Sequence, residues 1–285
     1  FGDAQNDIMD HWSRVIRMAY QTAPNASFGI HAGDLVNTAH HDHEWAQWFK
    51  AGGFLHSQWT AIPAVGNHEF SSVNGGARKL SIQWRPQFTL PVEKELGSDL
   101  HETVYTVDYQ DVRIVVLNSN DHLEHQTKYL EKKLKNCSAK WKIVTCHHSV
   151  FSPAKGRNFQ FARDHWKPLL DKYNVDLVLN GHDHTYARGH VPVRTSDQEE
   201  TSELGTVYVT SVSGPKQYGL DRKQIQAYKA DGYRPDKTAE QTQFFQVITI
   251  EGKTLSYVAY TVLGEEYDRA IITKDFTTGK KTLED

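Results

Sequence analysis

Five short clusters carry the residue types that hold cations: Asp3-Ala4-Gln5, Gly33-Asp34 with Asn37, Gly66-Asn67-His68-Glu69, His147-His148 and Gly181-His182-Asp183-His184. Carboxylate and amide oxygens beside neutral imidazole nitrogens are donors to divalent and transition-metal ions. Asp3 and Gln5 lie two apart and face one side of an extended chain, so they read as a ligand pair. The sixteen histidines point the same way, because several stand next to Asn, Asp or Gly at the ends of apolar runs. Taken singly, each cluster also reads as a turn or a hydrogen-bonded loop. Their order, each but the first following a strand-like run, makes them one constellation. Neither Cys146 nor any serine sits in a recognisable nucleophile frame.

The elements that must position these groups alternate between helix and strand. Apolar residues Ile8, Trp12, Val15, Ile16 and Ala19 recur at helical spacing and predict a helix over 7–20, capped by Asn6 or Asp7. Short apolar runs at 27–32, 60–65, 142–146 and 175–179 read as buried strands, and each ends where a polar cluster begins. Helices are expected around 44–49 and over 123–134 and 164–173, and a hairpin over 104–109 and 112–117 across Gln110-Asp111. Segment 71–100 has weak periodicity and reads as an insertion. The last third is β-rich, at 206–212, 244–250, 255–261 and 269–273, with Glu251-Gly252 as a hairpin turn. This is the pattern of a layered α/β protein whose mixed sheet carries functional groups on strand-end loops.

With 285 residues, 38% hydrophobic and 24% charged, the chain has ample material for a core. A formal net charge of -3 provides neither a basic field for a nucleic-acid duplex nor a polybasic membrane patch. No stretch approaches the roughly 20 apolar residues of a membrane-inserted helix. Cys137 and Cys146 read as free thiols, since a strand between them would hold them apart.

Over residues 3–184, the ordered clusters resemble the signature of the calcineurin-like metallophosphoesterase superfamily: Asp-x-His or a variant, Gly-Asp, Gly-Asn-His-Asp/Glu, a lone His, and Gly-His-x-His. Gly-His-Asp-His-Thr-Tyr-Ala-Arg at 181–188 and Ser-Val-Ser-Gly-Pro-Lys at 211–216 look most like bacterial enzymes of the purple-acid-phosphatase-like branch. The resemblance implies a four-layer αββα sandwich of two mixed sheets flanked by helices, with the site at strand C-terminal ends. It implies one catalytic domain over 1–285, extended upstream by a strand before Asp3 and, in this branch, by an all-β domain. Export to a periplasmic or extracellular location is the branch's habit.

By the same resemblance, Asp34 bridges two metal ions. One ion adds Asp3, His184 and Gln5, and the other adds Asn67, His147 and His182. His147 takes the ligand role because the family's ligand comes first in such pairs, which leaves His148 to touch substrate or to pack. His68 stands near the leaving-group oxygen, and Glu69 either orients its ring or is a solvated loop carboxylate. Tyr186 and Arg188 are candidate substrate contacts, the arginine toward a phosphate. His40-His41-Asp42-His43 lines the pocket rim or forms a solvated helix start, and Trp45, Trp48, Trp59 and Trp84 pack. The implied activity is hydrolysis of a small-molecule or protein phosphoester by a metal-bound hydroxide, with Fe, Mn or Zn as the ions. Monoesters come ahead of nucleotide or lipid head-group diesters, and a silent metal-binding scaffold is the alternative.

Two positions depart from the pattern. Purple acid phosphatases place a tyrosine three residues after the bridging aspartate, where this chain has Asn37, so a colourless protein is expected. Other members have histidine at Gln5, and an amide oxygen is a harder, weaker donor, so a more labile first site tolerant of Mn, Fe or Mg is expected.

Overall fold

Alternation of buried side chains along each strand separates the chain into layers. The computed structural model describes residues 1–72, 76–194, 197 and 199–285. Seven strands pair in the order Arg234–Ala239, Tyr186–Arg194, Glu200–Thr210, Leu177–Asn180, Trp141–Thr145, Val112–Val116 and Tyr105–Tyr109. The four from Val112–Val116 to Glu200–Thr210 run parallel, and the expected hairpin closes one edge with Tyr105 opposite Val116.

A second layer combines the parallel pair Phe28–His31 and Thr60–Pro63 with an antiparallel meander of Phe244–Glu251, Thr254–Thr261, Glu266–Lys274 and Lys281–Glu284. Backbone hydrogen bonds join the two parts. Ala32 donates to the Phe1 carbonyl at 2.7 Å, Ser213 to Gly2 at 2.7 Å, and Phe244 to Val212 at 2.8 Å. Residues 1–3 and 211–213 therefore run side by side between the pair and the meander.

Period-two patterning assigns each face. Ile114, Val116, Ile143, Phe244 and Tyr257 meet between the sheets, whereas Val115, Val144, Val178 and Tyr208 face Tyr129, Leu130, Trp166 and Leu170 of the helical layer outside the first sheet. Phe245 and Val247 face the other way, onto Val15, Ile16, Trp45 and Trp48. Three apolar interfaces separate four layers, helix, sheet, sheet, helix, as expected. Trp45, Trp48, Trp59 and Trp84 all pack in the last of these interfaces. Both cysteines are free, and burial pushes the Cys146 thiol up to about 12. No helix among the described residues is long and apolar enough to cross a membrane.

Some boundaries differ. The first helix spans Trp12–Thr22, not 7–20, because Asn6 and Asp7 take left-handed φ values of 68° and 45° and turn the chain instead of capping it. Ile8 still reaches the core, but from that turn. The expected insertion holds short pieces only, a pairing of Phe70–Ser71 with Lys79–Leu80 and a helical turn at Trp84–Gln87, and its residues 73–75 lie outside those described. Strands Tyr186–Arg194 and Arg234–Ala239 escape pattern reading because Gly189, Pro192 and Pro235 interrupt their alternation.

Candidate metal centre

Four loops at strand C-terminal ends, with residues 3–5, bring the clusters together. Asp34 follows Phe28–His31, Asn67 and His68 follow Thr60–Pro63, His147 and His148 follow Trp141–Thr145, and His182 and His184 follow Leu177–Asn180. Ligand atoms of Asp34, His147 and His182 lie within 4.8 Å of one another, as do those of Asp3, Asp34 and His184. Asp34 belongs to both groups. His147 Nε2 is 3.1 Å from Asp34 Oδ2 and 3.0 Å from Asn67 Oδ1, and His182 Nδ1 is 3.1 Å from His147 Nε2.

Unusual backbone aims these side chains. Asp3, Asp34, His182 and His184 have φ values of 51°, 52°, 71° and 48°, a region costing non-glycine residues on the order of 1–3 kcal/mol each. Glycine permits the crowding. A Cβ on Gly66 would stand 2.1 Å from Asp34 Oδ1, and one on Gly181 would stand 2.3 Å from Asp3 Oδ2.

Glu69 has a role the sequence reading did not reach. It is fully buried, neither solvated nor on the His68 ring, and accepts from the backbone N–H groups of Asp34 and Leu35, both at 2.9 Å, and of Gly66 at 2.6 Å. It staples the Asp34 loop to the Gly66 loop. Glu69→Gln turns one of its acceptor oxygens into a donor against those N–H groups. We expect a 10–100-fold loss of cation affinity, as for other groups that orient metal ligands, measured by titrating the metal-free variant with Mn2+ or Zn2+.

The electrostatics suit cations. Burial, the largest influence on Asp34, would raise its carboxyl, but the charge and hydrogen bond of His147 and the contacts from His68 hold it well below the usual range. Burial works against charge on His147 too, yet Asp34 and Asp3 lift it to about 9. In the metal-free chain that proton balances Asp34, and a cation bound there would take its place. Burial lowers His182 strongly and brings His184 down to about 3, so both imidazoles are neutral, as ligands must be.

Two buried oxygens, Asp3 Oδ1 and Gln5 Oε1, have no hydrogen-bond partner. Together with the shared carboxylate and the neutral imidazoles, they make a donor set that fits two cations. Gln5 Nε2 donates to Asp34 Oδ2 at 3.0 Å and lies 3.1 Å from His184 Nε2, so turning the amide over presents Oε1 to the same space.

His68 stands beside these donors. Its backbone N–H donates to Asp34 Oδ1 at 2.8 Å, Nδ1 donates to the Asn37 carbonyl at 2.6 Å, and Nε2 is 4.0 Å from Asp34 Oδ2. His148 lies against His182 with ring centres 4.2 Å apart at 50° and bonds Ser119 Oγ at 2.8 Å. Arg157, which sequence reading missed, meets His182 Nε2 and lies over the Tyr218 ring at 5.0 Å. Its segment carries no periodic signal that would have marked it.

Tyr186 and Arg188 are corrected. Both are buried in the sheet, where Tyr186 donates to Asp268 Oδ2 at 2.6 Å and Arg188 makes paired bonds to Asp268 at 2.8 and 2.9 Å and one to Asp236 at 2.9 Å. Along strand Tyr186–Arg194 they face Tyr257 and Asp268 of the meander, away from the loops that hold His182 and His184. They lock the two sheets together and are not placed to touch substrate.

The Asn37 side chain accepts from Asn6 Nδ2 at 3.1 Å, and the hydroxyl of nearby Tyr218 accepts from Arg157 at 3.3 Å. Asn37 has no phenolate to give, and the Tyr218 hydroxyl is engaged by Arg157. Iron-loaded protein is therefore expected to lack a tyrosinate charge-transfer band, and strong visible absorption of the purple kind would contradict this ligand set.

Residues 2–186 match the family model described as calcineurin-like phosphoesterase. The chain is 27% identical over 205 residues to the uncharacterized protein Rv2577 of Mycobacterium tuberculosis, covering 60% of this chain and 38% of that protein. It is 27% identical over 145 residues to purple acid phosphatase 17 of Arabidopsis thaliana, covering 46% of this chain and 42% of the relative. The chain thus spans well under half the length of these two proteins. The fold superimposes on purple acid phosphatase PPD1 from yellow lupin (Lupinus luteus) seeds with a TM-score of 0.73 at 18% identity, covering 97% of this chain and 53% of that structure. With the family model matching well over half its length, this chain belongs to the calcineurin-like phosphoesterase family.

Proposed function

We propose that this chain hydrolyses phosphate esters, monoesters ahead of diesters, using two metal ions held by Asp3, Gln5, Asp34, Asn67, His147, His182 and His184. The observation that carries the reading is the sharing of Asp34 by two ligand groups, with His68 Nε2 4.0 Å from the same carboxylate. Cations so held supply Lewis-acid neutralisation of phosphoryl oxygens and make water nucleophilic near neutral pH.

The chain's own residues do the rest. Asp34 and Asp3 place two carboxyl groups at the end of the buried strands, and the Asp3 carboxyl, raised well above its usual range by burial, would give up its proton as a cation binds. Asn37 fixes the His68 tautomer with the proton on Nδ1, which leaves Nε2 facing the centre. From there an imidazolium can give its proton to the departing alcohol. His148 and Arg157 stand beside His182, placed to contact an ester group held at the centre. Monoester preference draws its support from the similarity to purple acid phosphatases.

An aryl phosphate and its bis-aryl diester separate the readings. Wild type is expected to show the higher kcat/KM on the monoester. His68→Ala is expected to lose about 10²–10⁴-fold, more for an alkyl than for a nitrophenyl leaving group, since a poor leaving group needs the proton more. A higher kcat/KM on the diester would overturn the monoester assignment while leaving the centre intact.

A further inference from the structure

The histidine-rich stretch before helix Asp42–Gly52 supplies no donor to this centre, and only Glu44 reaches toward it, through the Asn37 backbone. His40 is committed inward, with its ring nitrogens on Ser81 and Ser71. His41 and His43 are exposed, and their rings stack 5.3 Å apart at 25°. Ligand atoms of His41, His43 and Glu44 lie within 4.8 Å of one another. We propose that His41, His43 and Glu44 form a further, solvent-facing cation site of two imidazoles and one carboxylate, suited to Zn2+, Ni2+ or Cu2+ rather than to Mg2+ or Ca2+.

Geometry and charge support it. Four donors around zinc at roughly 2.0–2.1 Å stand about 3.4 Å from one another. His41 Nδ1 and Glu44 Oε1 are already 3.3 Å apart, and His43 closes on them by side-chain rotation in open solvent. Glu44 is held in place beforehand. Its other oxygen accepts from the backbone N–H groups of Asn37 at 2.7 Å and Thr38 at 2.8 Å, so little carboxylate freedom is lost on binding.

The helix N-terminus is a mildly unfavourable place for a cation. Asp42 and Glu44 in its first turn oppose that field, and Asp7 and Asp10 line the groove beside His43 and Glu44. The imidazole content selects the metal, since borderline transition ions favour nitrogen donors and hard ions favour all-oxygen shells. Solvent fills the remaining positions, so micromolar affinity is expected here, weaker than at the buried centre.

The test compares wild type with His41→Ala/His43→Ala, each first loaded at the buried centre, freed of excess metal by gel filtration, and then titrated with Zn2+ by calorimetry. Wild type is expected to take up one more equivalent than the double variant, and the untagged protein to be retained on immobilised Ni2+ where the variant flows through. Equal zinc stoichiometry and equal retention overturn the site. His122→Ala/His125→Ala removes another surface pair, with rings 5.9 Å apart, and is expected to keep the extra equivalent. Its loss in that variant instead would also overturn the assignment. His41 and His43 are solvent-exposed, so circular dichroism is expected to match wild type in every case.

Discussion

Asp34→Asn is expected to lower kcat/KM for an aryl phosphate by about 10³-fold or more and to leave the purified protein short of metal. The substitution keeps the volume but removes one unit of charge from the group that both ligand clusters share. It also turns one carboxylate oxygen into an NH2 that faces either the Gln5 amide N–H, 3.0 Å from Oδ2, or the His68 N–H, 2.8 Å from Oδ1. Either choice sets donor against donor. Lewis-acid stabilisation is worth several kcal/mol, and each 1.36 kcal/mol is a factor of ten in rate. Steady-state kinetics with metal content by mass spectrometry read both parts. Wild-type turnover from a variant that still holds two ions would show that Asp34 is not the bridge.

The second large effect lies far from the site and concerns stability. Asp176 is fully buried, with Lys274 Nζ at 2.8 Å, Lys281 Nζ at 3.2 Å and the Lys142 N–H at 2.8 Å. Both ammonium groups are buried as well, and each also donates to a backbone carbonyl at 2.8 Å, Lys274 to Lys140 and Lys281 to Val175. Burial is the largest influence on Lys281 and pushes its ammonium down to about 8, with Asp176 opposing that shift.

Asp176→Ala strands two buried cations next to each other. A loss of about 3–5 kcal/mol is expected from urea unfolding, the usual cost of breaking a buried pair. Lys281→Met removes the surplus cation and leaves Asp176 paired with Lys274, so a change under about 1.5 kcal/mol is expected there. A comparable loss in both variants would mean that packing, not charge pairing, holds this corner.

Much of the centre was legible because metal chemistry restricts residue types and strand ends restrict where they stand. Asp34, Asn67, His147, His182 and His184 each sit within four residues of an apolar strand, so local patterning found them. Glu69 was misjudged because its partners, the N–H groups of Asp34 and Leu35, lie 35 and 34 residues away, and nothing local distinguishes a buried staple from a solvated loop carboxylate. Tyr186 and Arg188 were misplaced for the same kind of reason, since their partner Asp268 is 82 and 80 residues distant. The first helix began late because left-handed residues at 6 and 7 leave no trace in hydrophobic periodicity.

Sequence alone determined the residue types of the centre, the alternation of strands and helices, and the two departures at Gln5 and Asn37, since donor chemistry and side-chain period are local properties. Only the tertiary structure brought Asp34 within reach of both donor groups, put His147 rather than His148 against its carboxylate, and decided which charges are buried as structural pairs. Those outcomes depend on what packs against each side chain from elsewhere in the chain, and burial and field, unlike residue type, are set by the whole fold.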